Sequence, residues 1–323
     1  MYSEIASNRR RSAVTIGCFL LLWLAVGAVL GLLFRTFARP SVNGLATTTS
    51  AGPSWAPVLV GVAIGALLAI AGILFSLTAG TRLVLRTSGA ELADDAKYQQ
   101  LNDLVGALAI GEGIPKPKVY VIDDPSPNAF ATGINPDKAA ITFTSGLLSI
   151  MNREELEGVI GHEMSHIKNH DIRLLVLVGT LIGLAAFLAS ILWRVAFWSS
   201  FGEEDNSGGV AILVVFIAAA ALLTLVGFFF GPLIRLALSR RRESLADASG
   251  VELTRNPAGL LSALKKLQTN DKPFKTMNHA TASMCIDDPL RHHESWYHRL
   301  YDTHPPIEVR IAALEKLAVG ETV

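Results

Sequence analysis

The sequence predicts a mixed membrane and α+β protein: four transmembrane helices joined to a mostly helical cytoplasmic domain that carries a short sheet. Three observations predict it. Half of the 323 residues are hydrophobic and only 17% are charged, against about 25% charged in ordinary soluble proteins. Mean hydropathy is +0.40, and four apolar runs each reach the length of about 20 helical residues that a hydrocarbon core requires. Between and after those runs lie two stretches that alternate polar and apolar residues like a soluble domain. The formal net charge is zero, from 28 acidic and 28 basic residues, which argues against a nucleic-acid-binding surface. The two cysteines, Cys18 and Cys285, are isolated in sequence, so neither a disulfide framework nor a thiolate metal site is expected.

The first run, 13–34, follows Arg9, Arg10 and Arg11. It is too long for the apolar part of a secretory signal and reads as a retained span. The others are 57–79, 174–193 and 210–234, and none holds a charge in its interior, as a lipid-facing helix requires. Gly27 and Gly31, like Gly61 and Gly65, are four apart and let two spans pack closely. Basic residues set the topology. Arg9, Arg10, Arg11, Arg82, Arg86, Lys168, Arg173, Arg235, Arg240, Arg241 and Arg242 fall on one side if every run crosses once. The other side receives Arg35, Arg39 and the acidic Glu203, Glu204 and Asp205. An excess of Lys and Arg marks the cytoplasm, so 1–12, 80–173 and 235–323 are cytoplasmic, with external loops at 35–56 and 194–209. Trp55, Trp193 and Trp198 sit at the interfaces where aromatic belts form. The last two runs also fit a re-entrant hairpin, which leaves the soluble pieces on the same side.

In the first soluble piece, 91–111 reads as an amphipathic helix, with Leu92, Ala96, Leu101, Leu104, Val105 and Leu108 at helical intervals, closed by Pro115 and Pro117. KVYVID at 118–123 is a strand, DDPSP a turn, NAFATG a second strand, and AAITFTSGLL a third strand running into a helix. NREELEGVIGHEMSHIKNHD is the next helix, with Asn152 as cap and Glu155 three residues on. In the second piece, ESLADASGVELT is helical, Asn256 and Pro257 start another helix, 269–303 reads as loop, and a last helix starts near Pro305 or Pro306.

The chemistry concentrates in GHEMSHIKNHD. His162 and His166 are four apart, on one helical face and within reach of one zinc ion. Glu163 is placed to address water there as general base, the HExxH arrangement. A hydrolytic zinc takes a third protein ligand. His170 sits about 12 Å along the axis from His162 and cannot converge with both histidines. The candidates are Glu243, just after the fourth run, and the late histidines 279, 292, 293, 298 and 304. Asp247, one turn beyond Glu243, could take the spare ring N–H of a zinc histidine. Glu243 and Asp247 could equally neutralise nearby arginines.

GHEMSHIKNHD, a hydrophobic hairpin and RRRESLADASG, in that order, resemble the HtpX-type membrane zinc metallopeptidases of peptidase family M48, which are related to the CaaX-prenyl endopeptidases. PNAFATG at 127–133, ITFTSGLL at 141–148 and THPPIEVRI at 303–311 also resemble that family, and the likeness covers nearly the whole chain. It implies a zincin-like domain with one Zn2+ per chain held by His162, His166 and Glu243, Glu163 as base, and Asp247 as the aspartate behind a ligand. Ser244 departs from the pattern, where an aromatic is frequent, and 285–293 has no counterpart role.

The expected activity is hydrolysis of peptide bonds. Glu163 takes a proton from the attacking water and returns it to the leaving amine. His304 is the candidate second donor to the oxyanion. Arg310 is expected in a buried ion pair, a structural role. Asn128, Ala129 and Phe130 are candidates to pair with an extended substrate strand, or form an ordinary edge. The resemblance implies misfolded or damaged membrane proteins as substrates, a stress-response role, possible company with other quality-control proteases and a plasma-membrane location. No nucleic-acid partner is expected. Prenyl-peptide trimming fits less well, because that branch resembles seven-span proteins. A scaffold or transporter fits less well too, since no span carries a broken helix or mid-membrane charge.

Overall fold

The structure, a computed structural model, describes residues 2–37, 54–199, 213–225, 240–269, 285–286 and 306–318. Its helices include α1 (Tyr2–Phe37), α2 (Ala56–Thr87) and α6 (Asp171–Ser199). Within these, Ala6–Arg35, Ala56–Thr87 and Asp171–Trp198 are long and apolar enough to cross a membrane. Of the expected fourth span, residues 213–225 form α7 (Leu213–Leu225), an apolar helix shorter than a crossing. The rest of 210–234 lies outside the described residues.

The chain divides into two compact units, one of Met1–Ala13, Ser76–Thr180 and Gly231–Val323, the other of Val14–Phe75 and Leu181–Phe230. In the second unit α1 and α2 meet at the glycines spaced four apart. A Cβ on Gly27 would collide with the carbonyl of Gly61, and one on Gly65 with the carbonyl of Trp23. Without Cβ atoms the two backbones can approach closely. Trp193 Nε1 donates to Thr224 Oγ1 at 3.2 Å, joining α6 to α7.

The first unit is built around a four-stranded mixed sheet of order β1-β2-β4-β3. The strands are β1 (Glu91–Leu92), β2 (Lys118–Ile122), β3 (Ala129–Thr132) and β4 (Ala140–Thr144). β1 and β2 are antiparallel, β2 and β4 parallel, and β4 and β3 antiparallel. The helix expected over 91–111 starts later. Leu92 is exposed and belongs to no helical face. Asp94 Oδ1 accepts from the N–H groups of Ala96 and Lys97 in a local turn, which competes with helix. The helix itself is α3 (Gln99–Glu112), ended by left-handed Gly113.

After the short α4 (Ser145–Ile150) comes α5 (Arg153–Lys168). Asn152 accepts from the Glu155 N–H while the Glu155 carboxylate accepts from the Asn152 N–H, a reciprocal cap. Val159, Ile160, Met164 and Ile167 make its buried face. They join a core with Ile141 and Phe143 of β4 and with Leu260, Leu264 and Leu267 of α9 (Pro257–Gln268). A Cβ on Gly158 would lie 2.6 Å from the backbone nitrogen of Leu260, so glycine there lets α9 press against α5. α8 (Arg240–Thr254) also packs along α5. α10 (Ile307–Ala318) closes the core through Ile307, Ile311 and Leu314. Most of the expected loop 269–303 lies outside the described residues. Cys285 and Ile286 are described: Cys285 pairs with Phe130, and the Ile286 N–H donates to the Ala129 carbonyl at 2.9 Å.

Candidate metal centre

α5 carries His162 and His166 one turn apart, both buried, with ring centroids 4.8 Å apart and planes at 84°. Their Nε2 atoms lie 3.2 Å from each other. α8 brings Glu243 to them. A Cβ on Gly250 would stand 2.8 Å from the backbone nitrogen of His162, and one on Gly161 3.1 Å from the Gly250 carbonyl oxygen. Larger residues at this crossing would push α8 and its glutamate away. Glu243 Oε2 is 3.6 Å from His162 Nε2, and Oε1 is 3.6 Å from His166 Nε2. The three candidate ligand atoms lie within 4.8 Å of one another.

Each imidazole is oriented from behind. His162 Nδ1 is 2.8 Å from Asp247 Oδ1. Arg310 of α10 donates to both oxygens of that carboxylate, Nε to Oδ2 at 2.9 Å and Nη2 to Oδ1 at 2.7 Å, and Nη1 donates to the Ile286 carbonyl at 2.9 Å. His166 Nδ1 is 3.0 Å from Asp171 Oδ2, at the start of α6. Asp171 Oδ1 accepts from Arg242 Nη1 at 2.9 Å and from Asn8 Nδ2 at 2.7 Å. Carboxylates that accept from Nδ1–H turn both Nε2 atoms toward the Glu243 carboxylate, where each offers a lone pair once its ring is neutral. Two imidazole nitrogens and one carboxylate, all buried and converging as acceptors, suit a divalent metal ion such as zinc.

The electrostatics agree with that donor set. Burial opposes charge on His166, but the carboxylates of Glu243 and Asp171 outweigh it and raise its pKa to about 9. Positive charge is therefore favoured in the pocket. Burial pushes the Glu163 carboxyl up, and Glu243 adds to it, against the pull of the two histidines. Burial would also raise Asp247, but Arg310 and His162 hold it down at about 2. Glu163 accepts a hydrogen bond from the backbone of Ala131 on β3.

Asn128, Ala129 and Phe130 are buried at the start of β3. Asn128 faces β4, accepting from the Thr144 N–H at 3.0 Å. On the outer edge, the Ala129 N–H donates to Asn128 Oδ1 at 2.9 Å and its carbonyl accepts from Ile286. The chain itself thus meets this edge at Ala129 and, through Glu163, at Ala131. His304 and the histidines at 279, 292, 293 and 298 lie outside the described residues. His170 stands in the turn between α5 and α6 with φ of 59°, and this left-handed turn returns Asp171 to His166. Sequence reasoning missed Asp171, Arg242 and Asn8 as parts of the centre. The one local signal was an aspartate five residues past His166, beyond a helix-breaking Asn-His pair.

Residues 95–318 match the family model described as Peptidase family M48. A protein described as a Protease HtpX homolog in Levilactobacillus brevis is 40% identical over 323 residues, covering 98% of this chain and 100% of that protein. One so described in Ligilactobacillus salivarius is 37% identical over 317 residues, with 98% and 100% covered. Among solved structures, S. mikatae Ste24p is similar at a TM-score of 0.48 and 21% identity, over 98% of this chain and 67% of that one.

Proposed function

We infer the function from one premise: the chain belongs to peptidase family M48. It is a membrane metalloprotease with a His/His/Glu cluster able to hold a metal ion. The proposed metal is Zn2+, one per chain, held by His162, His166 and Glu243. Zinc bound there supplies a Lewis acid that acidifies water and polarises a peptide carbonyl. Glu163 is the proposed general base. Its carboxylate takes a proton from the attacking water and delivers it to the leaving amine. Asp247 and Asp171 keep the ring protons on the Nδ1 atoms. Arg310 acts on Asp247 and not on substrate. His304 is the proposed second donor to the developing oxyanion.

The single observation that carries this reading is the convergence of His162, His166 and Glu243, with the adjacent Glu163 buried beside them. Substrate is proposed to be an extended segment of a misfolded or damaged membrane protein, lying along β3 at Asn128, Ala129 and Phe130. Such a segment must take over the Ala129 carbonyl from Ile286. The proposed location is the plasma membrane, with the site and both termini cytoplasmic in parts 1–12, 80–173 and 235–323. The basic flanks support it. The hydrogen bonds of Asn8 to Asp171 and Asn169 support only that the start of α1 and the site lie on one side.

The test is paired. The full-length protein and Glu163→Gln are purified in detergent, bound metal is measured by elemental analysis, and cleavage of casein is followed. Near-stoichiometric zinc in both, with at least a hundredfold slower cleavage by the variant, is the expected result. Absence of zinc after supplementation would sink the site assignment. Equal cleavage by both would remove Glu163 from the mechanism.

A further inference from the structure

Asn8 is almost wholly buried, although it lies only eight residues into the chain and ahead of the apolar part of α1. Its side chain is used at both ends. Nδ2 donates to Asp171 Oδ1 at 2.7 Å and to the Asn169 carbonyl at 2.9 Å. Oδ1 accepts from Arg242 Nη1 at 3.3 Å. Its neighbours dictate this orientation, because two acceptors face the amide nitrogen and a guanidinium faces the oxygen. The same Arg242 Nη1 donates to Asp171. Asn8, Asp171 and Arg242 therefore close a hydrogen-bonded triangle. One corner, through Asp171 Oδ2, orients His166. Another is the residue before Glu243 on α8. The triangle thus contacts one candidate ligand, His166, contains the chain neighbour of a second, Glu243, and is closed by a residue near the start of α1.

We propose that Asn8 is a positioning residue of the metal centre, holding Asp171 and Arg242 so that His166 and Glu243 keep the geometry that binds the ion. Only an amide meets the requirement. Alanine leaves Asp171 with one donor fewer, and aspartate sets a second carboxylate against Asp171. The proposal rests on His162, His166 and Glu243 being the metal ligands. It makes the seating of the first helix a determinant of metal retention.

The experiment compares full-length wild type, Asn8→Ala, Asn8→Asp, Asp171→Asn and the double variant Asn8→Ala/Asp171→Asn. Ser12→Ala is the control, since Ser12 is buried one turn further along α1 and outside the triangle. The readouts are zinc affinity by chelator competition and the visible absorption of the cobalt-substituted protein. Melting of the metal-free forms is measured alongside. Partners behind a metal histidine typically change affinity 10–100-fold, and Asn8 acts one step further out. The expected loss for Asn8→Ala is about tenfold, the low end of that range, with a larger loss for Asn8→Asp and none for Ser12→Ala. The double variant should lose less than the sum of the two single losses, because Asn8 acts in part through Asp171 and only the Arg242 contact is left for its removal to break. A shifted cobalt spectrum is also expected, with a lowered metal-free melting point because three buried hydrogen bonds are lost. Wild-type affinity in Asn8→Ala, or a fully additive double variant, would overturn the proposal. If Asn8→Ala does not fold, Asn8→Ser carries the same comparison. Absence of zinc from the wild type would instead defeat the site reading beneath it.

Discussion

The two histidines of the centre are held by clamps of similar chemistry and different construction. Behind His162 stands Asp247, on the same helix as Glu243 and gripped by both arms of Arg310 from α10. Behind His166 stands Asp171, three residues past the end of α5, with a single contact from Arg242 and another from Asn8. The first clamp is a bidentate, planar pairing, the stronger and more directional form of charge-assisted hydrogen bond. The second is shared between two donors, Arg242 and Asn8, each making one bond and lying 234 residues apart in sequence. One imidazole thus depends on the C-terminal helix, the other on the N-terminal one. The supports of this centre are therefore drawn from α1, α6, α8 and α10 as well as α5. A free-standing HExxH helix would not hold its ligands.

The largest effect should come from breaking the tighter clamp. Arg310→Leu leaves the buried Asp247 without its guanidinium, and removal of one partner from a buried pair costs about 3–5 kcal/mol. Denaturation of the full-length protein in detergent should show that loss. Arg310→Lys should recover little of it, because an ammonium cannot span both oxygens and the Ile286 carbonyl together. Arg242→Leu should cost less, since Asn8 still donates to Asp171. Equal losses for the two leucine variants would erase the distinction between the clamps.

The next effect is on the ion itself. Asp247→Asn and Asp171→Asn should each weaken zinc binding about 10–100-fold, read by chelator competition. They should differ in stability. Asp247→Asn strands the guanidinium of Arg310, whereas after Asp171→Asn the Arg242 guanidinium still meets Asn8. A variant that loses stability but keeps its zinc affinity would show that its aspartate serves the fold and not the ring.

The comparison also marks where sequence was legible. His162 and His166 share a face because helical spacing requires it, and Asp247 follows Glu243 by one turn on the same grounds. Both relations are local, so the clamp behind His162 could be half read from RRRESLAD. The clamp behind His166 could not. Asp171 returns to the ring only because His170 adopts a left-handed conformation, and Asn8 is more than 160 residues away in sequence. The apolar runs 13–34, 57–79 and 174–193 were legible from length alone, but the helices that contain them extend beyond each apolar run, and one such extension of α1 carries Asn8. Pairing of Cys285 with β3 had no local signature, because a single bridge imposes no periodicity.

The smallest effect tests whether the clamps act on the ion or merely on stability. Glu155, at the other end of α5, accepts from Ser262 at 2.6 Å and from Lys266 Nζ at 2.7 Å. It stands seven residues before His162, about 10 Å along the helix. Burial raises its pKa, but Lys266, Ser262 and the Asn152 backbone together lower it below the usual value. The sign follows from that depression. The folded state binds the Glu155 proton less tightly than the unfolded chain, so its contribution is complete above the unfolded value near 4.5. It is lost as pH falls through the folded value. Glu155→Gln keeps a residue able to close the helix cap and removes only the charge facing Lys266, whose half-exposed ammonium limits the loss to about 1 kcal/mol. The stability gap between wild type and variant should therefore be constant from pH 8 down to about 5 and shrink below about pH 4. Zinc affinity should not move at any pH in the upper range. If Glu155→Gln weakened zinc as much as Asp171→Asn does, any loosening of α5 would suffice to disturb the centre. The two clamps would then be ordinary supports of the helix.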